Sequence, residues 1–220
     1  AVLALACAGA DALPLRWAAR GDINTTDPYS QHATLTNNVN SLVSEFLVTR
    51  DRSMKLAPAI AVSWTQVDAT TWRFRLRPGV RFHDGTPFTA DDVVFSFERA
   101  KAPSSQLRAY ANQAGVARRI DDLTVEFATP GPNPAMLEHV ITINIMSRAW
   151  CEKNRATAPQ NFTQQEDMVT AHQANGTGPF LLVTRQPDVK TVLKKNPDWW
   201  GIRAGRYEGN VDEVVYTPIV

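Results

Sequence analysis

Within residues 77–93, RPGVRFHDGTPFTADDV, one histidine and three aspartates crowd together: His83 beside Asp84, then Asp91 and Asp92. Imidazole and carboxylate groups in such proximity could coordinate a divalent metal or hold a general base in place. A second constellation is Cys151 with His139 and His172 in the neighbouring sequence, the residue types of a thiol nucleophile and its base. Either would make the chain an enzyme.

The residues between these groups assign the first cluster another task. Pro78-Gly79 is a turn pair, Val80 and Phe82 alternate as a short strand, and Asp84-Gly85 supplies the positive φ of a tight reversal. Thr89 precedes Ala90, Asp91 and Asp92 at the start of a helix carrying Val93, Val94 and Phe97. Its hydroxyl is placed to cap free backbone N–H groups, and the two aspartates meet the positive end of the helix dipole. Thr89 and Asp92 have the spacing of a capping box. The acids therefore read as turn and cap residues.

Other catalytic signals are missing. The histidines His32, His83, His139 and His172 never fall at a spacing that puts two on one helix face, and no CxxC occurs, so no metal site is expected. There is no Gly-x-Ser-x-Gly elbow, and no nucleophile motif surrounds Cys151, which is expected to be a buried packing residue. Gly176-Thr177-Gly178 lacks the lysine and third glycine of phosphate-binding loops. No cofactor is expected.

The 220 residues, 44% of them hydrophobic, suffice for one large domain or two modest ones. With 23 basic and 22 acidic residues dispersed along the chain, no footprint for nucleic acid is visible. Residues 1–12, AVLALACAGADA, read as the apolar region and cleavage site of a secretory signal peptide, cut after Ala12; a buried strand or helix is the competing reading. The run is too short to span a bilayer as a helix. Export to the periplasm is expected, with lipid anchoring at Cys7 the lesser option because Ala4 stands where a lipoprotein signal has Leu. Removal of the leader would leave Cys151 without a disulfide partner.

Periodicity then lays out the scaffold. Leu13 to Ala18 reads as a strand, and Leu35, Val39, Leu42, Val43 and Phe46 predict a helix over Thr34 to Phe46. Trp72, Phe74 and Leu76 alternate with Arg73, Arg75 and Arg77, which predicts a half-buried strand with the arginines on its wet face. Lys101 to Gly115 is a loop with a short helix, and Leu123, Val125 and Phe127 form a strand stopped by Pro130-Gly131-Pro132. Val140 to Met146 is apolar and partly buried, and 152–176 is polar. Strands follow at Phe180–Thr184 and Thr191–Leu193, with a last extended segment over Val211–Val220.

Five segments in order resemble the extracytoplasmic solute-binding proteins of peptide- and nickel-type ABC importers, family 5. They are LAPAIAVSWTQVDATTWRFRLRPGVRFHDGTPFTADDVVFSFERA (56–100), DDLTVEF (121–127), GTGPF (176–180), NPDWWG (196–201) and VDEVVYTPI (211–219). The resemblance implies an α/β, periplasmic-binding-protein-like fold of class II type: the larger lobe, with two subdomains, and the second lobe missing. It divides the chain into 13–50 (first part of subdomain Ia), 51–170 (subdomain Ib) and 171–220 (return to Ia). It implies a non-enzymatic substrate-binding component that captures a peptide or similar small solute outside the cytoplasmic membrane and delivers it to a membrane permease. Carried over by position, the ligand-facing residues are Gln31, His32 and Thr34 after the Asp27-Pro28 turn, Tyr110, and Asn144. The tryptophan pair Trp199 and Trp200 is expected to pack rather than to serve as a ligand platform. A secreted hydrolase using Cys151 and a chaperone-like binder of extended chains are the alternatives.

Overall fold

A computed structural model describes residues 14–164, 166–206 and 209–219; the expected leader 1–12, with Cys7, lies outside them. The alternation of rings and arginines builds one sheet. Strands β4 (Ala61–Gln66), β5 (Thr71–Leu76), β6 (Val116–Asp121) and β7 (Thr124–Ala128) run antiparallel in the order β4-β5-β7-β6. Register sets Phe74 opposite Val125 and Trp72 opposite Phe127. Phe74, Leu76, Val125 and Phe127 are buried, while Arg73 and Arg75 face solvent. Helix α2 (Ala90–Ala100) lies across the apolar face, and its Phe97 meets Phe127 edge-on at 4.6 Å, a geometry ring quadrupoles favour.

The second sheet joins distant parts of the chain. Strands β1 (Leu15–Arg20), β8 (Phe180–Gln186), β9 (Lys190–Lys195) and β10 (Glu213–Ile219) take the order β1-β10-β9-β8. β1 pairs with β10 in parallel, from Leu15 opposite Val214 to Arg20 opposite Ile219. Its core unites Ile23, Phe180, Leu193, Val214 and Tyr216 with Val39 and Val43 of helix α1 (Thr34–Val43). The chain also forms the hairpin β2 (Val48–Arg50) and β3 (Leu56–Pro58) and the short helices α3 (Arg108–Ala114), α4 (Met136–Val140), α5 (Arg148–Lys153) and α6 (Trp200–Arg203).

The acidic stretch is a clasp. Asp92 accepts from its own cap residue, Thr89 N, and from Arg148 N at the start of α5, both at 2.9 Å, so one carboxylate pins two helix starts. Asp84 accepts from Thr86 N at 3.0 Å and from Asn175 Nδ2 at 2.9 Å. His83 Nε2 donates to Gly178 O at 3.1 Å while its Nδ1 faces Gly176 N at 3.4 Å, the pattern of a neutral imidazole. Burial pushes its pKa down, in keeping with that form. The glycine-rich loop held this way approaches the end of α1 so closely that a Cβ on Gly176 would lie 2.0 Å from Val43 O. Close approach explains these glycines, with no phosphate to cradle.

Several sequence expectations need correction. The helix expected to Phe46 ends at Val43, because the carbonyls of Val43, Ser44, Glu45 and Phe46 accept from Gly178, the Asn144 side chain, Ile145 and Ile60. Val80 to Phe82 makes only an isolated bridge between Arg81 and Pro87. Arg77 leaves the wet face: its guanidinium lies 4.0 Å over the Trp200 ring and donates to Ala59 O. Strand β6 had no apolar alternation to announce it, since five of its six residues are exposed.

Candidate functional site

The segment after the Asp27-Pro28 turn is anchored by a buried ion pair. Arg99 of α2 grips both oxygens of Asp27, at 3.0 and 2.5 Å, and neither side chain is accessible to solvent. Two further guanidinium bonds, both 2.9 Å, reach Ala156 O and Ala158 O. Asp27 also accepts from Tyr29 N at 3.1 Å, and the Tyr29 ring lies 5.1 Å below the guanidinium. Tyr29 Oη donates to Asn144 O at 2.5 Å, which fixes the Ile143–Met146 segment to the same node. Desolvation raises the Tyr29 pKa, so the phenol stays a donor. A charge pair this deep is stable only when hydrogen bonds offset its desolvation, and here four guanidinium bonds and the Tyr29 amide do so.

Beyond that anchor the backbone turns outward. His32 N donates to Gln106 Oε1 at 2.7 Å, and its Nδ1 lies 3.4 Å from Asn37 Nδ2. Its ring is 5.9 Å from Tyr110 of α3, which is in turn 6.2 Å from His139 of α4. A cavity of about 140 Å³ opens here, lined by Pro28, His32, Phe46, Leu107, Ile141 and Asn144 among others. Asn144 is 6% exposed and donates from Nδ2 to Ser44 O at 3.0 Å, while Tyr110 is 36% exposed. No carboxylate, lysine or arginine lines this cavity. Flat rings and neutral hydrogen-bonding groups on a fixed backbone suit the recognition of a ligand, not the breaking of a bond.

Of the five residues carried over by resemblance, His32 and Asn144 line this cavity, and Tyr110 lies beside His32 without lining it. Gln31 is half-buried, Thr34 is exposed at the first turn of α1, and neither lines the cavity. Phe46, Ile141 and His139 belong to the neighbourhood and were not among the ligand-facing residues carried over. The His139 Nδ1 is buried and has no hydrogen-bond partner among the described residues, a cost that burial reveals and spacing does not.

The catalytic alternative finds no support in geometry. Cys151 is buried, and desolvation pushes its thiol up to about 12. The charged groups acting on it are Arg99 and the carboxylates of Asp27, Asp92 and Glu152. A thiolate nucleophile requires the opposite environment. Among the described residues no three His, Cys, Asp or Glu side chains are grouped to hold a metal ion.

Residues 55–220 match the family model of the bacterial extracellular solute-binding proteins, family 5 Middle. The periplasmic oligopeptide-binding protein OppA of Escherichia coli (strain K12) is 26% identical over 220 residues, covering 90% of this chain and 38% of that protein. The glutathione-binding protein GsiB of Shigella flexneri is 30% identical over 182 residues, 81% of this chain and 34% of its own length. Among solved structures, DppA from Helicobacter pylori in complex with the peptide STSA superimposes with a TM-score of 0.77 at 25% identity, covering 93% of this chain and 42% of that one. NikZ from Campylobacter jejuni in complex with Ni(L-His) gives 0.77 at 23% identity, over 94% and 39% respectively, which speaks for the fold alone. The chain spans well under half the length of each of these relatives.

Proposed function

The chain belongs to the bacterial extracellular solute-binding proteins of family 5, and from that premise we propose that it is the ligand-binding part of an ABC importer's receptor. It captures a peptide or related small solute outside the cytoplasmic membrane and hands it to a permease. The observation that carries this reading is the cavity that His32 and Asn144 line, with the Tyr110 ring 5.9 Å from that of His32 and the backbone held by the Asp27–Arg99 pair. Gln31 and Thr34, which do not line it, complete the ligand-facing set in this proposal. The subdomain division 13–50 with 171–220 against 51–170 is part of the proposal, and the gathering of β1, β8, β9 and β10 in one sheet and of β4 to β7 in another supports it. Periplasmic residence, with or without an anchor at Cys7, is part of the same proposal; among the described residues no helix is long and apolar enough to cross a membrane.

Receptors of this kind gain affinity by closing a second wall over the ligand. On this proposal the further length of the relatives supplies that wall, so a two-lobed parent binds much more tightly than residues 1–220. Calorimetry with a tetrapeptide and with glutathione, on both forms, tests the proposal. In the two-lobed form, Tyr110→Ala and His32→Ala are expected to weaken the preferred ligand at least about tenfold, or about 1.4 kcal/mol. Unchanged affinity in both variants, or hydrolysis of the peptide, would overturn it.

A further inference from the structure

On the other side of Phe46 from the ligand cavity lies a second opening, of about 360 Å³, lined by Ser41, Glu45, Phe46, Thr49, Trp199 and Arg206 among others. Its floor is unusual. Glu45 is buried, yet the hydrogen bond its carboxylate makes is a single one, from Trp200 Nε1 at 2.9 Å. A carboxylate offers about four acceptor positions. Two donors, Trp199 Nε1 and Thr177 Oγ1, act on the same carboxylate but fall short of bonding geometry, and both are buried without a partner. Of these groups Glu45 and Trp199 line the cavity, and leaving buried polar valences open is costly.

The charges around that space select its occupant. Arg206 stands at the rim, with its guanidinium 5.2 Å over the Trp200 ring and Nη2 donating to Pro58 O at 2.7 Å. Its guanidinium carries five N–H donors, and this is the hydrogen bond it makes among the described residues. A simple anion would meet the Glu45 carboxylate and a simple cation would meet Arg206. An apolar molecule would seal these polar groups away from water. A small zwitterion answers both charges at once: its ammonium donates to Glu45 between the Phe46 and Trp199 rings, and its carboxylate accepts from Arg206.

We propose that this cavity binds a free α-amino acid, with Glu45 receiving the ammonium and Arg206 the carboxylate. The site is separate from the ligand cavity and stands whether or not that cavity binds peptides. Glu45 must be ionised to receive the ammonium, so occupancy pulls its proton off and affinity weakens as the pH is lowered.

The test is titration of the 220-residue chain with L-leucine, followed by calorimetry and by the indole N–H resonance of Trp199. N-acetyl-L-leucine, which lacks the ammonium, and L-leucinamide, which lacks the carboxylate, are the comparison ligands. L-leucine is expected to bind and shift that resonance, with each analogue at least tenfold weaker. Glu45→Gln, which keeps an acceptor for Trp200, and the exposed Arg206→Gln are each expected to lose at least tenfold, while Tyr110→Ala changes nothing. No binding of L-leucine, equal binding of N-acetyl-L-leucine, or full affinity in Arg206→Gln would overturn the proposal, the last deciding even if Glu45→Gln folds poorly. Loss of peptide binding in Tyr110→Ala with L-leucine binding intact would separate the two sites.

Discussion

Asp27 and Glu45 are buried carboxylates on the same N-terminal segment, yet their neighbourhoods are built in opposite ways. Asp27 holds a guanidinium in two-point contact, accepts from the backbone, and sits where no solvent reaches. Glu45 has one indole N–H and no ion pair in contact. The first arrangement fixes a backbone by giving both carboxylate oxygens charged and backbone donors. The second leaves a group that responds to its surroundings, by taking up a proton or a ligand. Burial alone does not say which role an acid plays; the count of its partners does.

Three experiments press on that contrast. The largest effect is expected from Arg99→Met, which strands the Asp27 charge; breaking a buried pair from one side costs about 3–5 kcal/mol. Urea unfolding should show it, and Asp27→Asn combined with Arg99→Met should recover much of the loss. A penalty under about 1 kcal/mol would mean that the pair is no anchor.

Glu45 should give a smaller, pH-dependent effect. Desolvation raises its pKa from 4.5 to about 7, so the folded chain binds this proton more tightly than the unfolded chain. Its contribution therefore favours the fold increasingly as pH falls from above 7 towards 4.5, by on the order of 3 kcal/mol. Half-buried His83, whose pKa is lowered by burial, works the other way: its contribution is lost as pH drops below its usual value. The difference between the wild type and Glu45→Gln in denaturant midpoints across this range isolates the glutamate. A flat difference would remove the distinction between the two acids.

Asp92 is the intermediate case, buried and held by two backbone N–H groups instead of a cation. Asp92→Ala removes a capping box and orphans Arg148 N, for an expected loss of about 2 kcal/mol. Thermal melts at neutral pH measure it, and a loss as large as that of Arg99→Met would erase the ranking.

Much of the scaffold was legible because local chemistry and tertiary contacts agree there. Thr89 and Asp92 cap α2 as their spacing requires, and Trp72, Phe74 and Leu76 alternate as a strand with one buried face. The signal failed where distant partners decide. Phe46 continues the helical spacing of Leu35, Val39 and Val43, but its carbonyl accepts from Ile60 across the fold, and the helix stops short of it. Val116 to Asp121 lies at a sheet margin with one buried residue, so no period marks it. At the candidate site, the naming of His32, Tyr110 and Asn144 came only through resemblance, since no spacing links three residues so far apart. Glu45 was passed over as one polar residue in an amphipathic run; its place three residues after Leu42, inside the apolar stripe, was the available clue.

The side-by-side pairing of β1 with β10 has a consequence for how each copy is made. In the order β1-β10-β9-β8, the early strand has a single neighbour, and that neighbour comes from far along the chain, Leu15 lying opposite Val214. A newborn chain emerging from a ribosome or a secretion channel thus trails an unpaired, sticky ribbon until that distant stretch has emerged. Val214 to Ile219 act as a latch: their arrival closes the ribbon and ends its need for escort proteins.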